Sequence, residues 1–423
     1  MKRNIGLLAL IMMFWFVISF ITNILGPLIP DIINGFSLKN LAMAGFIPTF
    51  FFIAYAIMSI PAGILIDRYG EKPVLFCGWL MPFIGTLIFA CYPVYPMLLA
   101  SCFIIGLGMA MLQTVLNPLQ RVAGGEENYA FIAELAQLMF GTASFVSPLV
   151  YTYLIKNLDA ATYVSGKNLF IDMLARVTPP QLPWVSLYWV FTAILLIMII
   201  AVIFSRIPKI ELKSDEKAGS KASYLKLFKK GYVWLFFLGV FCYVSTEQGT
   251  SIFMSTFLEK YHGVDPQVTG ARIVSYFWGG MTAGCIVGML LLKLFDSKKI
   301  LVYSGILTMI LLISALFGSR EVSMIAFPAI GFSISMMFSI VFSLALNSAS
   351  ENHGSFAGIL CSGLAGGAGG PLIVSTIADA TNLRIGMLFI LVFVIYITAI
   401  GFWAKPLINN KTVKLKELFH RHD

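Results

Sequence analysis

Two glutamates stand inside apolar runs, Glu134 in AFIAELAQLMFGTASFVSP (residues 130–148) and Glu247 in FFLGVFCYVSTEQGTSIFMSTFL (residues 236–258). A charged side chain at bilayer depth costs on the order of 3 kcal/mol or more, and such residues normally face a bundle interior or an aqueous cavity. Protonated, a carboxyl is a neutral donor; ionised, it needs donors or a cation beside it. A group of this kind can take up a cation in one state and release it in another. Helical spacing places both acids on polar or small-residue stripes: Glu134, Gln137, Gly141, Ser144 and Pro148 on one, Tyr243, Glu247, Thr250, Ser251 and Met254 on the other, with Gln248 one position off. Two plainer roles stay open. Glu134 lies early in its run, where it could pair with Arg121 near the membrane surface, and Glu247 could be a buried hydrogen bond between helices.

The elements that must position these groups are apolar and long. Of 423 residues, 59% are hydrophobic and 12% charged, against about 25% charged in a soluble chain, and mean hydropathy is +0.88. Runs repeat at lengths that cross a bilayer, which takes about 20 residues. The sequence predicts helices near 5–33, 41–65, 73–93, 95–118, 129–155 and 184–206, then near 231–260, 267–295, 299–318, 321–349, 355–380 and 383–405. The expected fold is an all-α integral membrane protein of twelve transmembrane helices in two six-helix bundles. Residues 1–205 form the N-terminal bundle, 206–230 a cytoplasmic linker, 231–405 the C-terminal bundle and 406–423 a cytoplasmic tail.

Lys and Arg set the expected orientation, because cytoplasmic loops carry their excess. With the N-terminus inside, the inner segments collect 21 of the 29 basic residues, and both termini fall in the cytoplasm. The net charge of +9 then reflects topology and contact with anionic lipid headgroups; KASYLKLFKK adjoins a span and has no nucleic-acid-binding fold around it. The N-terminal run is too long for a signal peptide and lacks a small-residue cleavage site. The six cysteines show no metal or disulfide spacing. No phosphate loop and no nucleophile with a paired base is present, so neither an enzyme nor a cofactor is expected.

The loop GILIDRYGEK carries Gly63, Asp67, Arg68, Gly70 and Lys72, matching the G-x-x-x-D-R-x-G-x-K signature of the major facilitator superfamily. In that superfamily two six-helix halves rock about a midplane site, and the resemblance makes these five residues a conformational latch on the cytoplasmic side. GMLLLKLFDSKKI occupies the equivalent place in the second half in degraded form. Within the superfamily, QTVLNPLQRVAG, ELAQLMFGTASFVSP, FFLGVFCYVSTEQGTSIFMSTFL, MFSIVFSLALNSAS and GSFAGILCSGLAGGAGGPLIVSTIAD resemble helices 4, 5, 7, 10 and 11 of the fucose:proton symporter family of monosaccharide carriers. Two acids of that family are absent: its helix 1 acid matches Gly26, and its helix 4 glutamate matches Gln113. Coupling would then fall to Glu247 and Glu134.

A sugar site needs amides, hydroxyls and an aromatic face inside a cleft. Candidates are Gln113 and Asn117 on helix 4, Asn23 on helix 1, Gln137 on helix 5, Tyr243 and Gln248 on helix 7, Tyr276 on helix 8, and Ser343 and Asn347 on helix 10, where Ser335, Ser339, Ser343 and Asn347 follow at four-residue steps. Each could equally bond a neighbouring helix. The resemblance implies import of a monosaccharide by H+ or Na+ symport in the bacterial inner membrane by a monomer, with an exporter of amphipathic compounds and a sugar uniporter as the alternatives. Gly280, Gly284 and Gly288, and the glycines of GLAGGAGGP, are expected to let helices approach closely.

Overall fold

The computed structural model describes residues 5–124, 129–159, 163–166, 168–207, 221–349 and 353–407. Among the described residues, eleven helical segments are long and apolar enough to cross a membrane. The twelfth, helix 7 (Gly231–His262), has 32 residues but is too polar over its middle to qualify by hydropathy. The first half comprises helix 1 (Ile5–Thr22 and Leu25–Gly35), helix 2 (Leu41–Tyr69), helix 3 (Glu71–Cys91), helix 4 (Tyr95–Gly124), helix 5 (Tyr129–Leu158) and helix 6 (Ser186–Phe204). The second comprises helix 7, helix 8 (Ala271–Leu294), helix 9 (Ser297–Phe317), helix 10 (Arg320–Ile334 and Met337–Asn347), helix 11 (His353–Ser362 and Gly366–Ala380) and helix 12 (Leu383–Leu388 and Ile390–Trp403).

The continuous helices expected at 5–33 and 321–349 are each interrupted, at Asn23–Ile24 and at Ser335–Met336. Apolar residues flank both breaks, so hydropathy alone runs straight across them. Helix 11 passes through a 3-10 turn at Gly363–Ala365, inside its glycine cluster. Between helices 5 and 6 lies a short helix, Leu169–Val177, whose Asn168 side chain caps the Phe170 N–H at 3.0 Å and whose Leu169, Phe170, Met173 and Val177 are exposed. Part of the linker expected at 206–230 is also helical, Lys221–Phe228.

Close packing inside each half relies on missing side chains. A Cβ on Gly106 would strike the Phe51 carbonyl, and one on Gly331 the Phe277 carbonyl. The halves meet mainly through helix pairs 2 with 11, 5 with 8, and 1 with 7, with a smaller contact between helices 1 and 8. At the end of the bundle that holds the 36–40, 263–265 and 381–382 turns, this contact is tight: Gly26 lies on the Ser251 carbonyl, Gly45 on the Ser375 hydroxyl, and Gly141, nearer the middle, on Thr282. Asp31, Thr49 and Ser251 are buried there. At the opposite end, which carries the Gly63–Lys72 loop, Gln137, Ser339 and Ser343 are exposed and Gly63 has open space around it. The halves are therefore together at one end and apart at the other.

Candidate functional site

Helix 7 supplies the centre of the site. From Cys242 to Leu258 every residue is buried except Glu247, which is half-buried. Tyr243, one turn earlier, donates its hydroxyl to Glu247 Oε2 at 3.0 Å, and Gln248 Nε2 donates to Oε1 at 2.9 Å. Among the described residues no Lys or Arg neutralises it. Two neutral donors of this kind can hold the carboxylate when it is ionised, and each carboxylate oxygen keeps lone pairs for a proton, a cation or a substrate hydroxyl. Phe338 of helix 10 packs beside Tyr243 with ring centroids 5.5 Å apart and is followed by Phe342 at 5.6 Å. Ser339 and Ser343 alternate with these rings on the exposed side of the same helix segment. Asn347 Nδ2 reaches Ser343 Oγ at 3.4 Å, and the Asn347 carbonyl accepts from Leu407.

Across the chain, Gln113 of helix 4 is half-buried, and its carbonyl oxygen accepts from the Tyr55 hydroxyl of helix 2 at 2.8 Å. Its amide nitrogen has no acceptor among the described residues. Because an unpaired buried ligand hydroxyl costs about 1 to 3 kcal/mol, Gln113→Ala should weaken substrate binding about tenfold or more at unchanged expression. Calorimetric titration of the purified protein reads this directly, and unchanged affinity would restrict Gln113 to positioning Tyr55. Tyr55 escaped the sequence reading because a tyrosine in an apolar run gives no signal without its partner.

Asn23 has a different neighbourhood. Its amide donates to Ser144 Oγ at 2.9 Å and to Ser19 Oγ at 3.3 Å, and Ser19 Oγ in turn lies 2.6 Å from Ser144 Oγ. The polar stripes of helices 1 and 5 thus satisfy each other at the break in helix 1. Ser144→Ala should lower thermal stability by the equivalent of about 1 kcal/mol and leave substrate affinity unchanged; a tenfold loss of affinity at an unchanged melting temperature would place the cluster in the binding site. Gln137, two turns from Ser144 on the same stripe, is exposed where the halves have parted.

Tyr276 stands apart from this group. It is 47% exposed and shares a helix face with the exposed Val287 and Leu290. Phe145 of helix 5, half-buried, stacks on it at 6.5 Å. That face is the apolar outside of the bundle, so the structure does not bring Tyr276 to Glu247. The side chains of Glu134 and Asn117 lie outside the described residues.

Of the signature loop, Gly70 has φ +83°, a left-handed conformation that favours glycine. Lys72 Nζ donates to the Ile203 and Ser205 carbonyls at 2.9 and 2.8 Å, a cation on the C-terminal end of helix 6, where the helix dipole favours it. Arg68 lies over the Tyr69 ring at 5.2 Å and is exposed. The Asp67 side chain is outside the described residues. Among those described, no group of three or more His, Cys, Asp or Glu could hold a metal ion.

Twelve helices in two bundles, joined at one end and parted at the other around a polar centre, define a membrane transporter scaffold. The chain belongs to the Major Facilitator Superfamily, whose sequence profile matches residues 11–371. It is 30% identical over 410 residues to a glucose/galactose transporter of Brucella abortus biovar 1 (strain 9-941), covering 95% of this chain and 94% of that one. To the L-fucose-proton symporter of Escherichia coli (strain K12) it is 25% identical over 366 residues, 81% and 80% of the two chains. Among solved structures, FucP in the outward conformation superposes with a TM-score of 0.67 at 21% identity, covering 94% of this chain and 98% of that chain. A bacterial homologue of the human lysosomal transporter Spinster, inward-facing and occupied, superposes at 0.76 with 15% identity, covering 96% and 97%.

Proposed function

We propose that this protein imports a monosaccharide by symport with a cation, H+ or Na+, through the bacterial inner membrane, with both termini in the cytoplasm. The excess of Lys and Arg in the loops on the open side supports that orientation, so the conformation described above is open to the cytoplasm and closed to the outside. The relatives named as glucose/galactose and fucose carriers support the sugar class. Residues 1–205 and 231–405 act as the two moving halves, 206–230 as their cytoplasmic connection and 406–423 as a cytoplasmic tail.

The observation that carries the coupling assignment is the carboxylate of Glu247, held by Tyr243 and Gln248 at the one residue between Cys242 and Leu258 that is not buried. Gln113, Asn117, Gln137, Gln248, Ser343 and Asn347 supply amides and hydroxyls for sugar hydroxyls, and Tyr243, with its neighbour Phe338, an aromatic face. Glu134 is a second coupling candidate. The Gly63–Lys72 loop latches the cytoplasmic side when that side closes.

Thermal-shift measurements against glucose, galactose and fucose, each with and without Na+, test the proposal. A melting temperature raised by one sugar in a saturable manner is expected, since a ligand at 100 times its Kd adds about 2.7 kcal/mol. No response to any monosaccharide, alongside a response to amphipathic cations, would favour an exporter.

A further inference from the structure

We propose that Asp379 is the outer clasp of the transport cycle, a carboxylate from one half that caps a helix of the other and holds the outside closed. Asp379 occupies the last turn of helix 11. Its Oδ1 accepts from the Leu41 N–H and its Oδ2 from the Ala42 N–H, both at 2.7 Å. These are the first two residues of helix 2, where backbone donors have no partner within the helix and the dipole favours an anion. The local residue suited to that task is Asn40, which sits at the capping position with extended geometry yet makes no side-chain capping bond. The cap is thus supplied from 338 residues away, by the opposite half.

The surroundings fit a joint that opens and closes. Gly45 lets the Ser375 hydroxyl of helix 11 approach helix 2 directly, and Thr49 Oγ1 donates to the Ala368 carbonyl at 3.1 Å. A second carboxylate makes the reciprocal contact: Asp31 of helix 1 accepts from Gln267 Nε2 at 2.8 Å across the halves and from the Tyr151 hydroxyl within its own half. Helix 2 therefore carries a grip at each end. Its C-terminal end leads into the Gly63–Lys72 signature, which stands open here, while its N-terminal end is held by Asp379. When the outside opens, Leu41 and Ala42 part from Asp379, and their donors pass to water or to Asn40. That exchange makes the clasp reversible, and the loss of charge-assisted bonds sets how often it opens.

The assignment of this end to the outside rests on the orientation in the proposed function; the clasp does not depend on the transported substrate. The test uses full-length protein without its native cysteines, carrying Ser251→Cys. Ser251 is 3% exposed and lies beneath Gly26, so it reports opening of this end. Labelling by a membrane-impermeant maleimide is followed from each side of right-side-out and inverted vesicles. Asp379→Asn should raise the labelling rate about two- to fivefold, whereas Asp379→Glu should stay nearer the parent. Asn40→Asp gives helix 2 its own acidic cap and repels Asp379; it should raise the rate in the same direction and decides the matter if Asp379→Asn does not fold. Parental labelling rates in Asn40→Asp and in folded Asp379→Asn would overturn the clasp. Faster labelling from the opposite membrane side would retain the clasp and overturn the orientation instead.

Discussion

Glu247→Gln is expected to lose uphill uptake and keep counterflow. A one-to-one symport with a monovalent cation, driven by 100 mV, gains about 2.3 kcal/mol and sustains roughly fifty-fold accumulation. The glutamine still accepts from Tyr243 and packs beside Gln248, but it binds neither a proton nor a cation at neutral pH. Accumulation should therefore fall from that order to about equal concentrations on the two sides, while exchange between equal pools of labelled and unlabelled sugar persists. A glutamate that only holds helices together would behave differently, damaging both assays through misfolding or neither. Accumulation in Glu247→Gln equal to the parent's would remove helix 7 from coupling.

Gly26→Leu should trap the protein with its outer end open. A Cβ at Gly26 would collide with the Ser251 backbone carbonyl, and Val274 closes the remaining space. Neither helix 1 nor helix 7 can yield there by turning a side chain. Overpacking of this kind costs about 1 to 3 kcal/mol, charged only to the closed state, so the ratio of closed to open should fall by about five- to more than hundred-fold. Net transport and counterflow should both fall, because each requires closure, while sugar still binds from the outside. This separates Gly26→Leu from Glu247→Gln, which keeps counterflow. Parental rates of both would mean that helices 1 and 7 separate from one another without limiting the cycle.

The number and order of the membrane-spanning helices were legible because bilayer thickness imposes a periodicity on hydropathy that few other constraints disturb, whereas the breaks in helices 1 and 10 were not. Glu247 stood out for a related reason, since a carboxylate inside a membrane-spanning helix is costly without a role; its coupling role is the proposal tested by Glu247→Gln. The polar stripe was also informative, but it did not say which neighbour it meets. Ser19 and Asn23 face Ser144 of helix 5, and a stripe that faces a cavity has the same spacing. Tyr276 shows the converse, as an aromatic on an outward face looks like a binding residue until Val287 and Leu290, three to four turns further along the same face, are seen exposed. Asp31 and Asp379 gave no signal because their partners lie in the other half, 236 and 338 residues away. An acid at a helix end is cheap in water and draws no notice until a distant helix is docked on it.

Ion movement evoked by sugar tests the central claim most directly. Protein reconstituted into liposomes with a pH-sensitive or Na+-sensitive dye inside is given glucose, galactose or fucose with no ion gradient imposed. The account predicts that the transported sugar carries H+ or Na+ inward with it, and that Glu247→Gln abolishes this flux while sugar still exchanges. Sugar entry without ion movement in the parent protein, or an equal ion flux in Glu247→Gln, would contradict it.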